Sequence, residues 1–149
     1  MHPNQHNLFE TPIWGFMLND QNLQTLDYSE YILDLADKEY SEKKSNMGGW
    51  QSRANLFEDP IFQEFNKSIL NAAAGILKEY TNCEPYLQAM WANINTKGNY
   101  NGQHTHEGEL SGVFYCQVPE NSGKIVLVNP AVRSYISVIK NKNFYINPE

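Results

Sequence analysis

Apolar residues recur at helical spacing in two stretches of the chain, then at every second position in the stretches that follow. In "EDPIFQEFNKSILNAAAGILKEY" (58–80), Ile61, Phe62, Phe65, Ile69, Ala72, Ala73, Ile76 and Leu77 form one continuous apolar stripe. Asp59 can cap this helix, and Pro60 suits its first position, where an amide N–H would find no partner inside the helix. The stripe reads as core packed on a sheet. Upstream, "LDYSEYILDLADKEYSEK" (26–43) sets Leu26, Tyr31, Ile32 and Leu35 at helical spacing, with Asp27 or Ser29 as the cap. Between the two helices, "SNMGGWQS" (45–52) is turn chemistry around one large aromatic. Ahead of both, "LFETPIWGFML" (8–18) mixes aromatic, β-branched and proline residues and predicts an edge strand.

From Tyr86 the period shortens to two. "YLQAMWANINTKG" (86–98) sets Leu87, Ala89, Trp91, Asn93 and Asn95 on one face and Gln88, Met90, Ala92 and Ile94 on the other. "LSGVFYCQVP" (110–119) and "GKIVLVNPA" (123–131) predict two more strands separated by the turn "ENSG". "SYISVIKNKNFYINPE" (134–149) predicts a further strand or two. A strand and helices first, then several strands with no helix between them, is the order of an α+β domain, with an antiparallel sandwich or barrel and helices packed on one face.

The length of 149 residues fits one domain, 1–149, large enough to bury a core without disulfides. An apolar share of 41% argues for a folded globule, and a net charge of −6 with scattered basic residues argues against a nucleic-acid partner. No apolar run approaches the length of a bilayer span, and the opening "MHPNQHNLFE" lacks the basic-then-apolar order of a signal peptide. The expectation is a soluble cytoplasmic protein with no membrane partner. Cys83 and Cys116 fit that compartment as reduced, buried residues, and their wide separation is no zinc spacing.

The candidate chemistry lies in "NYNGQHTHEGELSGVFY" (99–115). On a strand, His104 and His106 would project to one face, where two imidazoles can chelate Fe, Zn, Cu or Ni. Glu107 or Glu109 would add a neutralising carboxylate, although alternation turns Glu107 away. Close histidines with glutamates also occur on solvated loops, so the residues alone leave both readings open. Trp50 and Trp91 read as core or rim packing. One of Phe114 and Tyr115 is core by alternation, and Ser111 and Gly112 read as serving close strand packing.

The order "LFETPIW", "SNMGGWQS", "MWANIN", "HTHEGELSGVFYCQVPENSG", "KIVLVNPA" resembles the 2-oxoglutarate/Fe(II) oxygenases of bacteria and of phages of cyanobacteria. The resemblance implies a double-stranded β-helix (a jelly roll, cupin-like), with 7–85 as an N-terminal strand and supporting helices and 86–149 as a partial jelly-roll core. It implies Fe(II) as cofactor, 2-oxoglutarate as co-substrate, and hydroxylation of a C–H bond in a small-molecule or peptidyl substrate. The class holds its iron with an H-x-D/E unit and a distal histidine. His104 stands at the first ligand, and His106 occupies the acidic ligand's place, a departure from the pattern. Either His106 binds in the carboxylate's stead, or Glu107 or Glu109 supplies the charge, or water fills the position. Asn93, Asn95 and Tyr115 are placed on the pocket as co-substrate contacts.

After His106 there is no further histidine, and the one following arginine is Arg133. His2 and His6 lie in an N-terminal tail. The resemblance therefore implies a family member lacking its last ~40–50 residues, about four short strands with their turns. Such a chain is expected to show little oxygenase turnover alone and to cover its open sheet edge by self-association. Two alternatives stay open: a catalytically silent jelly-roll binding or structural protein, and a cupin-like zinc or manganese enzyme using two histidines and a glutamate.

Overall fold

The computed structural model describes residues 11–15, 17, 25–128 and 144–146. In order these form helix α1 (Thr25–Lys38), strands β1 (Asn46–Met47) and β2 (Trp50–Gln51), two 3-10 turns (Leu56–Glu58 and Pro60–Phe62) and helix α2 (Gln63–Leu77). Strands β3 (Asn93–Ile94), β4 (Tyr100–Asn101), β5 (Ile125–Leu127) and β6 (Phe144–Ile146) follow. The α+β class is as expected. Among the described residues, however, the strands form three antiparallel pairs, β1–β4, β2–β3 and β5–β6, rather than the two larger sheets of a double-stranded β-helix. No helix among the described residues is long and apolar enough to cross a membrane.

The core gathers where α1 meets the start of α2. Tyr28 and Leu35 from α1 pack with Leu56, Phe62 and Phe65, all buried. Tyr28 stacks on Phe62 at 5.4 Å, and Tyr31 meets the same ring edge-on at 5.7 Å, the two arrangements that aromatic quadrupoles favour. Met90, Ala92, Phe114 and Cys116 close the cluster from the other side. The stripe of α2 is thus covered at its N-terminal end, while Ala72, Ala73, Ile76 and Leu77 are only half-buried.

Both helices end short of their expected limits, for identifiable reasons. The first stops at Lys38 because the chain beyond it turns to pair with the β2 region. Glu42 N–H donates to the Gln51 carbonyl (2.9 Å), Gln51 N–H donates to Ser41 Oγ (3.0 Å), and Trp50 Nε1–H takes the Glu39 carbonyl (3.1 Å). Asp27 and Ser29, expected as caps, lie inside a helix that already includes Thr25. Asp59 is extended and does flank Pro60, but its side chain makes no capping bond. Its carboxylate is instead held by Arg53 Nη2 at 2.8 and 2.7 Å and by the Tyr31 hydroxyl at 2.9 Å. Burial first, and then that bond to Asp59, raise the Tyr31 phenol's pKa, so Tyr31 stays a donor.

Residues 45–56 run along residues 90–102 and build the scaffold under the histidine segment. Asn46 and Met47 oppose Asn101 and Tyr100, and Trp50 and Gln51 oppose Ile94 and Asn93. The expected turn "SNMGGWQS" is therefore two strand ends around a Gly48–Gly49 kink. Gly48 has φ +84°, and a Cβ on Gly49 would collide with Asn95 Oδ1 and lie 2.8 Å from the Ile94 carbonyl oxygen. Buried Ser52 extends the ladder: its N–H donates to the Ala92 carbonyl (3.0 Å), and its Oγ accepts from Ala92 N–H (2.9 Å) while donating to the Arg53 carbonyl (2.9 Å). Ser52→Ala leaves that Ala92 amide without its acceptor and is expected to cost about 1–3 kcal/mol in urea unfolding. A variant as stable as the parent would show that water replaces the hydroxyl.

Several expected strands contract. Residues 11–15, inside the predicted edge strand 8–18, are exposed and carry no pairing among the described residues. The 86–98 strand reduces to Asn93–Ile94 and a bridge from Met90 to Asn55. Residues 110–119 form no strand among the described residues, although Phe114, Cys116 and Val118 still turn inward and Val113, Tyr115 and Gln117 outward. Alternation there records a buried side, but no neighbouring backbone among the described residues supplies a ladder. Gly112 is exposed with open space where a Cβ would lie, so it serves no close packing. The 123–131 strand survives as β5. Of 134–149 only β6 is described, and Arg133, His2 and His6 lie outside the described residues.

Candidate functional site

β4 ends at Asn101, and the chain is pinned immediately afterwards by the Gly102 N–H, which donates to the Ser45 carbonyl at 2.7 Å. Residues 103–110 beyond that anchor are exposed and irregular, so His104 and His106 sit on a loop and not on the expected strand. Their side chains nevertheless come together. The ring centres are 4.6 Å apart, with planes inclined at 71°. His104 Nδ1 lies 2.7 Å from the Gly102 carbonyl oxygen. A carbonyl can only accept, so Nδ1 carries the proton and the neutral ring keeps its lone pair on Nε2. His106 lies against the Trp91 indole, with centroids 5.3 Å apart and planes at 21°.

This donor set suits a divalent transition metal in two respects. Two imidazoles bound at about 2.1 Å and at right angles hold their ring centres roughly 4.5 Å apart, close to what the pair shows. A histidine whose Nδ1–H is fixed by a backbone carbonyl is the arrangement that orients Nε2 toward a metal. Exposure leaves further coordination positions open to small molecules. Among the described residues no group of three or more metal-binding side chains forms, so neither Glu107 nor Glu109 joins the pair in a three-donor cluster. Both glutamates are exposed, on either side of Gly108 at φ +99°.

The other expected contacts divide. Asn93 and Asn95 belong to an amide cluster with Asn101. Asn95 Nδ2 donates to Asn101 Oδ1 (3.0 Å), and Asn101 Nδ2 reaches Ser45 Oγ (3.3 Å) and Asn93 Oδ1 (3.5 Å). The cluster fixes the strand that leads into the histidine loop. Tyr115 is 41% exposed, and the buried part of its ring raises the phenol's pKa. Phe114 is the inward member of that pair, 4.9 Å from Phe65. Trp50 packs against the core, and Trp91 stacks on the His106 ring. Asn101, Ser45 and the Gly102 carbonyl were not singled out from the sequence. For Trp91 the signal was present, since alternation sets it on the face of Asn93 and Asn95.

The two thiols behave differently. Both cysteines are free, but Cys83 is exposed, contrary to the expectation of burial, because it follows the end of α2 in a loop away from the core. Cys116 is half-buried, and burial pushes its thiol pKa up, leaving less thiolate near neutral pH. Iodoacetamide at mildly alkaline pH is expected to label Cys83 at least ~10-fold faster than Cys116, the Cys116 rate rising as pH increases and thiolate forms. Peptide mass spectrometry reads the two rates, and equal labelling would contradict the burial of Cys116.

Residues 89–145 match the family model described as "Putative 2OG-Fe(II) oxygenase". The matched stretch begins just before Trp91 and contains both histidines, the asparagine cluster and Tyr115. No curated protein and no solved structure matches the chain.

Proposed function

We infer from that match that residues 89–145 carry part of a non-haem Fe(II)- and 2-oxoglutarate-dependent oxygenase domain, and that the chain contributes to hydroxylation of a C–H bond. The observation that carries the reading is the pairing of His104 and His106 inside the matched stretch, with His104 Nε2 left free by the bond from its Nδ1 to the Gly102 carbonyl. His104 and His106 would hold the iron, with the remaining position taken by Glu107 or Glu109, brought in by movement of the exposed loop on metal binding, or by water. When bound, Fe(II) with 2-oxoglutarate and dioxygen supplies an oxidant that inserts oxygen into a C–H bond, and 2-oxoglutarate leaves as succinate and carbon dioxide. The protein's part is to fix the two imidazoles, keep neighbouring positions open and orient the co-substrate. Asn93, Asn95 and Tyr115 lie in the matched stretch and are proposed as its polar contacts.

The fold on this reading is a double-stranded β-helix, in which the pairs β1–β4 and β2–β3 belong to one sheet. The protein acts in the cytoplasm on a small-molecule or peptidyl substrate, and self-association covers the open edges of the short strands.

Anaerobic titration separates this reading from its competitors. One Fe(II) bound per chain, with 2-oxoglutarate binding only to the iron-loaded protein, is the expected result. Iron or zinc binding with no effect of 2-oxoglutarate points to a cupin-like metal site. Absence of any metal binding leaves a silent binding protein and removes the oxygenase reading.

A further inference from the structure

Resting on the reading that His104 and His106 share an ion, we propose that Trp91 is a positioning residue, which holds the His106 imidazole ready to bind by stacking against it. The indole and imidazole planes differ by 21° at a centroid distance of 5.3 Å, an offset stack of the kind aromatic rings favour. What makes this contact more than incidental is the contrast between the segments it joins.

Trp91 sits on the best-anchored backbone near the site. Met90 N–H donates to the Ala54 carbonyl (2.8 Å), and its own carbonyl accepts from Leu56 N–H (3.0 Å). On the other side, Ala92 is bonded in both directions to Ser52. Met90 and Ala92 pack against the core, which turns the intervening Trp91 to the opposite face. His106, by contrast, belongs to an exposed loop. Among the described residues, no backbone–backbone hydrogen bond joins 103–118 to the remainder of the chain. His104 is tied through its ring to Gly102, and the His106 ring is held by its neighbours, His104 and Trp91.

An imidazole on an unanchored loop samples several rotamers, and a metal must order it on binding. A flat indole on a rigid support removes that freedom beforehand. It does so through the ring face, leaving both ring nitrogens unoccupied. Trp91 thereby transmits the order of the 52–56/90–92 framework to the metal-binding loop.

Zn(II), a diamagnetic stand-in for ferrous ion, tests this by calorimetry on the full chain. Trp91→Ala is expected to weaken binding about tenfold, the lower end of what loss of a ligand-orienting neighbour costs. Trp91→Phe, which keeps a stacking face, is expected to remain within about threefold of the parent. Equal affinity of Trp91→Ala and the parent would overturn the proposal, as would Trp91→Phe falling as far as Trp91→Ala. A second readout needs no variant to fold. In the metal-free parent, the His106 ring-proton resonances should lie upfield of those of His104 through the indole ring current, and coincident positions would overturn the stack. Failure of the shared-ion reading has its own signature: His106→Ala would bind Zn(II) as tightly as the parent.

Discussion

Replacing His104 or His106 by alanine is expected to weaken divalent-metal binding by more than roughly 100-fold, since loss of a mere outer-shell partner already costs 10–100-fold. Each ring alone is an exposed imidazole with no chelate partner, and the affinity of the pair comes from closing one ring of contacts around one ion. The two replacements should therefore not add. The double variant should bind scarcely more weakly than either single one, as expected of groups acting as a unit. Competition against a chromophoric chelator under anaerobic conditions measures all three. Glu107→Gln and Glu109→Gln complete the set, and a tenfold loss in one of them would identify the third donor. Two small, additive losses from the histidine variants would instead describe two separate surface imidazoles.

Phe62→Ala is expected to be the most destabilising single change, at about 3–5 kcal/mol. Phe62 is 5% exposed and is the ring on which the core converges: Tyr28 stacks on it, Tyr31 meets it edge-on, and Phe65 lies 6.4 Å away. Removing it opens a cavity lined by rings from two helices, which cannot collapse without moving the Asp59–Arg53 pair beside Tyr31. Against a typical domain stability of about 5–15 kcal/mol, this is roughly a fifth of the total or more. Urea unfolding followed by circular dichroism gives the number. Leu77→Ala, at a half-buried position near the end of α2, serves as the comparison and should cost far less. Similar losses in the two variants would mean that the helices pack along the whole apolar stripe and not chiefly at the Tyr28–Phe62 end.

The helices were legible in the sequence because their periodicity is local. Their ends were not, because distant partners set them. The Asp59 carboxylate is drawn off by Arg53 and Tyr31, and the chain after Lys38 is drawn to Gln51. Residues 113–118 show a second kind of limit. Their alternation makes one of Phe114 and Tyr115 inward, and the structure shows it is Phe114, yet period two reports which side is buried and not whether a neighbouring strand is bonded.

The histidine pair was found for a reason only partly right. Strand alternation predicted two rings on one face, whereas the rings meet on a loop beyond β4. The Gly102 anchor and the Trp91 stack, both long-range or conformational, bring them together there. The roles of Asn101 and Ser45 depend on the pairing of 45–47 with 100–102, which no local pattern announces.

Whether the imidazoles of His104 and His106 bind the same ion can be read from nitrogen-15 NMR of the histidine rings during a Zn(II) titration. Ring-nitrogen resonances of both residues are expected to move together and to stop moving at one equivalent. Movement of only one of them, or two end points at different metal ratios, would contradict a shared ion.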